Sequence, residues 1–80
     1  MADKIDKRTK PLLVGLGRHL RRVREALGIP QVVLAQKIGI EPPNLSRIEH
    51  GEKNLTIDTL RRIAEGLGVE LVVKVVRKRR

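Results

Sequence analysis

Apolar residues recur at helical spacing in the first third of the chain. They are separated by 4, 3 and 4 positions and comprise Leu16, Leu20, Val23 and Leu27. This spacing predicts one face of an amphipathic helix. Pro11 suits the first turn of that helix and Gly28 suits its end. Gly15 and Gly17 weaken its beginning, so the pattern leaves the N-terminal boundary open.

Two shorter helical stretches follow, joined by a turn at 40–42. The first begins at Pro30, ends at Gly39 and is about eight residues long, a typical minimum for a globular helix. Its apolar positions are Val33 or Leu34, Ala35 and Ile38. The second covers 42–50 and ends at Gly51, where glycine is a common C-terminal cap. Its inward positions are Leu45 and Ile48.

A fourth helix is predicted after a polar loop. Thr56 suits its N-cap, and Leu55 and Leu60 have the spacing of a hydrophobic staple. Gly66 and Gly68 mark its end. Its predicted buried face is Leu60, Ile63, Ala64 and Leu67.

The pattern changes to alternation in the segment 69–76, "VELVVKVV". Its β-branched residues and its period of two predict a β-strand. We therefore divide the chain into a flexible basic arm (1–10), a helical domain (11–68), this strand, and a basic tail (77–80).

Composition adds a constraint on the core. The 80 residues include no Phe, Tyr, Trp or Cys, so the core must be aliphatic and has no disulfide to support it. A chain of this length buries only roughly 60% of its unfolded surface. Association with a second copy is therefore a natural source of further burial.

The charge indicates a polyanionic partner. The sequence contains 18 Lys and Arg residues and 9 Asp and Glu residues, which gives a net charge of +9. Nucleic acid is the first expectation and an anionic membrane surface the second. A solvated basic surface is the alternative.

The sequence has no signal-peptide core and no run of the roughly 20 apolar residues that a membrane span needs. We expect a cytoplasmic, nucleoid-associated protein without a membrane role.

Candidate catalytic chemistry is sparse. His19 and His50 are the two histidines, and neither has cysteine or carboxylate neighbours at metal-ligand spacing. No nucleophile–base pair or paired-carboxylate pattern is evident, so we predict no enzyme, metal or cofactor. His50 falls at a helix C-terminus, where it either caps the helix or contacts phosphate.

Two short helices joined by a tight turn describe a helix-turn-helix. Residues 16–69 resemble the Cro/C1-type (XRE-like) DNA-binding family. The most specific pieces are "LG" with Gln31 shortly after, "LAQKIGI", "SRIEHG" and "TL" followed by "IAEGLGV". The resemblance implies an all-α, lambda-repressor-like bundle of four to five helices, here with one C-terminal strand.

The resemblance also implies how DNA is bound. The helix 42–50 enters the major groove. The positions that correspond to base-contacting residues are Pro42, Pro43, Asn44 and Arg47. The positions that correspond to phosphate contacts are Gln31, Ser46, Lys53 and Asn54.

Pro42 and Pro43 depart from the family pattern, which usually has polar residues there. Proline offers only an apolar surface, for example to a thymine methyl group, so direct readout falls to Asn44 and Arg47. The alternative is that the prolines only stabilise the helix start.

The resemblance further implies a partly buried ion pair between Arg24 and Glu49. The alternative is two solvated side chains that contribute under about 1 kcal/mol.

The predicted strand suggests dimerisation. A lone strand exposes its hydrogen-bonding edge, and pairing with a second copy across a two-fold axis would satisfy those backbone groups. The side chains expected to lie in this dimer interface are Leu71, Val73 and Val75. Alternatively it folds back on its own domain or is disordered.

We expect a dimeric transcriptional repressor reading an inverted repeat. A weaker resemblance to helix-turn-helix antitoxins gives the alternative, an antitoxin that binds a toxin and autoregulates its operon. A non-specific architectural DNA binder is the third hypothesis.

Overall fold

The computed structural model describes residues 4–79, so residues 1–3 of the predicted arm and residue 80 of the predicted tail lie outside it. Its helices are α1 (Lys10–Ala26), α2 (Gln31–Ile38), α3 (Pro42–Glu49) and α4 (Ile57–Leu67). α3 packs against both α1 and α2, and α2 also packs against α4. The predicted all-α class is confirmed, with four helices in the described part of the chain.

The core is aliphatic and draws on every helix. Its buried members are Leu20, Leu34, Ala35, Ile38, Leu45, Ile48, Leu60, Ile63 and Leu67. The inward positions predicted for the third and fourth helices are all buried. On α2 the pattern left Val33 or Leu34 open, and Leu34 is the buried one while Val33 is 46% exposed.

Local signals set most helix ends. The Thr56 Oγ1 atom accepts the backbone N–H of Thr59 at 3.0 Å, which makes Thr56 the N-cap of α4. Gly39 ends α2 with φ +73°, a left-handed conformation that glycine adopts without steric cost. Ile40 then donates its N–H back to Ala35, so the chain turns directly into α3.

The buried face of α1 differs from the predicted one. It consists of Leu13, Gly17, Leu20 and Arg24. Leu16 and Val23 are partly buried at its border, and Leu27 is 51% exposed. The apolar pattern missed this face because a glycine and an arginine occupy half of its positions.

Two helical glycines permit close packing. A Cβ atom on Gly17 would lie 2.7 Å from the carbonyl oxygen of Glu49 and would also strike that of Ile48. A Cβ atom on Gly66 would lie 2.5 Å from Ile38 and 2.8 Å from Leu34. Gly15, by contrast, has open space around it. Gly17 therefore allows α1 to approach the end of α3 directly.

The segment after α4 does not form the predicted strand. Residues 69–79 are neither helix nor strand, and no β-strand occurs elsewhere in residues 4–79. A strand requires a hydrogen-bonded neighbour, and the rest of the described fold is helical. Leu71 packs partly against the core, whereas Val73 is 62% and Val75 97% exposed.

Candidate nucleic-acid interface

One side of α3 is a short, largely polar surface, and the other side is buried in the domain. Leu45, Ile48 and Glu49 are buried and hold the helix against the domain. The opposite side carries the residues predicted to meet DNA bases: Pro42, Pro43 and Arg47 are exposed, and Asn44 is half-buried. No hydrogen bond or ion pair engages the Arg47 guanidinium within residues 4–79, which leaves its donors available.

The first turn of α3 lacks two amide donors. Pro42 and Pro43 are its first two residues, and Glu41 is the N-cap. The N–H groups of Asn44 and Leu45 donate to the Glu41 carbonyl at 2.9 and 3.2 Å. The prolines thus leave no unsatisfied amides in this turn, and their surface is apolar.

The opposite end of α3 is joined to α1 by a buried ion pair. Arg24 Nε and Nη2 donate to the two carboxylate oxygens of Glu49 at 2.7 and 3.0 Å. The side chains are only 9% and 1% exposed. The hydrogen bond to Glu49 raises the pKa of Arg24, so the guanidinium stays charged.

The same ion pair extends to the start of α2. Arg24 Nη1 donates to the carbonyl of Ile29 at 2.8 Å, and Gln31 Nε2 donates to Glu49 Oε1 at 3.0 Å. Because a carboxylate only accepts, this bond fixes the orientation of the Gln31 amide. A second N–H of that amide remains for another acceptor.

The other residues predicted to contact phosphate lie on α3 and in the following loop. Ser46 and Lys53 are half-buried and Asn54 is exposed. Asn54 Oδ1 accepts the N–H of Leu55 at 3.1 Å, which orders the loop. His50 Nδ1 donates to the Ser46 carbonyl at 2.7 Å, so this histidine caps α3. These residues and Gln31 therefore occupy three different elements.

Sequence reasoning missed two basic residues that cap helices. Lys10 Nζ donates to the carbonyl of Gly51 at 2.6 Å, just beyond α3. Arg62 donates to the carbonyl of Ile38, the last residue of α2. A cation is favourable at a helix C-terminus. Neither spacing nor composition marks these residues as helix caps.

Two other kinds of site are absent from the described residues. Within 4–79, no group of His, Cys, Asp or Glu is arranged to hold a metal ion. No helix in this part of the chain combines the length and apolar character needed to cross a membrane.

A helix-turn-helix family model matches residues 20–74, which is more than half of the chain. The chain belongs to the Cro/C1-type helix-turn-helix family. This is a family of DNA-binding transcription regulators rather than of enzymes. The match includes all of α2, α3 and α4.

Two regulators of this family illustrate the range of relatives. The transcriptional regulator RamB of Mycobacterium tuberculosis is 40% identical over 55 residues, which are 69% of this chain and 12% of RamB. An uncharacterised regulator of Haemophilus influenzae is 35% identical over 66 residues, 82% of this chain and 67% of that protein. The chain therefore spans only a small part of RamB.

Solved structures of other proteins have the same fold. The restriction-modification controller protein C.AhdI of Aeromonas hydrophila is 30% identical, with a TM-score of 0.73 over 75% of this chain and 91% of that one. A chain in the HipA–HipB–O2–O3 complex is 27% identical, with a TM-score of 0.69 over 94% of this chain and 99% of that one. The second match thus reaches into one or both of the terminal segments.

Proposed function

We propose that this regulator is a dimeric repressor that reads an inverted repeat in double-stranded DNA through α3. The observation that carries the proposal is the exposed guanidinium of Arg47, which is unpaired within residues 4–79 and lies beside Asn44 on a helix whose opposite side is buried. Arginine is the common bidentate partner of guanine, and asparagine of adenine. Pro42 and Pro43 contribute an apolar edge suited to a thymine methyl group and stiffen the start of the helix.

Phosphate contacts then set the register of α3 in the groove. Gln31 supplies its remaining amide N–H at the start of α2, while Ser46, Lys53 and Asn54 supply contacts from α3 and the loop after it. The bond from Gln31 to Glu49 supports this assignment, because it orders the amide before DNA arrives. If a dimer neutralises about eight phosphates, log K falls with log salt at a slope of about −7.

The dimer forms through the C-terminal segment. Val72, Val73, Val75 and Val76 are 62–97% exposed, and they follow Leu71, which is anchored on the core. Contiguous apolar exposure of this kind is typical of an interaction surface. Antiparallel pairing of the segment with its copy would satisfy its backbone groups and bury Leu71, Val73 and Val75.

An antitoxin that also binds a toxin protein is the second candidate. It is favoured by the similarity to a chain of the HipA–HipB–O2–O3 complex, which extends over 94% of this chain. Purification of the native protein from its own cells distinguishes the two functions. A stoichiometric protein partner supports the antitoxin, and a homodimer alone supports the simple repressor.

A binding selection from random duplex DNA at about 150 mM salt tests the proposed function, since physiological salt suppresses non-specific contacts. We expect enrichment of an inverted repeat whose half-sites lie about one helical turn apart. Binding that collapses with salt and enriches no sequence would instead assign the protein to non-specific architectural binding.

A further inference from the structure

Glu41 is an acidic residue at the end of α3 where DNA contacts are proposed. It immediately precedes Pro42 and is exposed, with φ −74° and ψ 140°. Its backbone carbonyl accepts the N–H groups of Asn44 and Leu45. Its carboxylate forms no hydrogen bond or ion pair with any residue in the range 4–79.

The two prolines explain why this carboxylate is unpartnered. An N-cap side chain normally accepts the N–H of the second or third helical residue. In α3 the second residue is Pro43, which has no N–H, and the third is Asn44, whose N–H is already bonded to the Glu41 backbone. The helix start therefore offers the carboxylate no donor of its own, and both oxygens lack a donor in the part of the chain that the structure describes.

A free carboxylate at a DNA surface is repelled by phosphate. Its position is favourable only where it accepts a hydrogen bond from a donor group of the DNA. Among the base edges of the major groove, guanine presents two acceptors and thymine presents an acceptor and a methyl group. Adenine presents its amino donor beside the N7 acceptor. Cytosine presents its N4 amino donor without a neighbouring acceptor, so it is the base edge that suits an acceptor-only group.

We propose that Glu41 is a specificity-determining residue that selects cytosine at one base pair of each half-site. The inference rests on the proposed docking of α3 in the major groove. Glu41 and Arg47 read different base pairs, because six residues of helix span roughly 9 Å and stacked base pairs are about 3.4 Å apart. The same carboxylate weakens binding to sequences that lack this cytosine, since it then faces acceptors.

The test compares binding selections with the wild-type chain, Glu41→Gln and Glu52→Gln. Glu52 is an exposed glutamate in the loop after α3, so its variant makes the same change in charge without altering the helix start. The Glu41 carboxylate forms no hydrogen bond or ion pair within residues 4–79, and thermal unfolding of each variant checks that the domain remains intact.

We expect the wild-type repeat to contain one position per half-site at which cytosine is preferred by about tenfold or more, the discrimination of a good base contact. Glu41→Gln removes this preference, in favour of adenine or of no base, and leaves the other positions unchanged. Glu52→Gln retains it.

Two results would overturn the inference and they have different meanings. If Glu41→Gln keeps every wild-type preference and binds all sequences more tightly, Glu41 only repels DNA, and the proposed function stands without it. If the wild-type chain itself enriches no sequence, the proposed docking fails and the role of Glu41 fails with it.

Discussion

Arg24 and Glu49 lie 25 positions apart in the chain and form a bidentate, buried ion pair between α1 and the end of α3. The remaining donor of Arg24 holds the carbonyl of Ile29, and Gln31 bonds to the same carboxylate. One cation and one anion thereby fix the relative positions of three helices, two of which form the candidate interface.

Removing Arg24 should destabilise the domain severely. Arg24→Ala leaves the Glu49 carboxylate buried and without its cation, and we expect the free energy of unfolding to fall by about 3–5 kcal/mol. Urea denaturation measures it. The matched control is Arg21→Ala, which breaks the exposed α1 pair Arg21–Glu25 and should cost no more than about 0.5 kcal/mol. Equal costs for the two variants would show that the buried pair contributes no more than a surface one.

Gly17 and Gly15 should respond oppositely to the same substitution. Gly17→Ala forces a Cβ atom against the backbone at the end of α3, so we expect a loss of about 2 kcal/mol or more. Gly15→Ala meets open space, and its gain in helix propensity should raise stability by about 0.5–1 kcal/mol. Thermal unfolding compares the two. A neutral Gly17→Ala would mean that α1 and α3 can separate at little cost.

Gln31 and Arg47 should affect DNA binding in different ways. Gln31→Ala removes the proposed contact to phosphate and should weaken binding by about tenfold on every sequence alike. Arg47→Ala should cost about 1–3 kcal/mol on the selected site and relax the preference at one base pair. Titration of both variants on specific and scrambled duplexes separates these effects. A uniform loss for Arg47→Ala would reassign that residue to the phosphate backbone.

Val75 should control the oligomeric state. In an antiparallel pair of C-terminal segments it shares the buried face with Val73, so Val75→Lys places a charge in the interface and favours the monomer. Sedimentation velocity reports the change. Val76→Lys is the matched control, because in a strand Val76 would lie on the other face. If both variants remain dimeric, the subunits associate through another surface.

Much of the fold could be predicted from local sequence signals. The cap at Thr56, the glycines at residues 28, 39, 51 and 68, and the apolar spacing of α4 mark helix ends and one buried face. Such signals act within one or two helical turns, so the residues that carry them lie close together in the chain. The family resemblance, and not a local signal, identified the outward residues of α3 and the Arg24–Glu49 pair as candidates, because they stand at recognisable positions of the family motif.

Tertiary packing decided which side chains are buried, which groups cap distant carbonyls and whether the C-terminal segment forms a strand. Leu27 is exposed although it continues the apolar pattern of α1, because it is the C-cap and lies beyond the last helical residue, Ala26. Gly17 and Arg24 take buried positions on α1 that an apolar pattern does not mark. Lys10 and Arg62 cap carbonyls that are distant in the chain, and no spacing rule connects them to those partners. The segment 69–76 has the composition of a strand, yet a strand forms only when a second edge supplies hydrogen bonds, and the described residues of one chain contain no such edge.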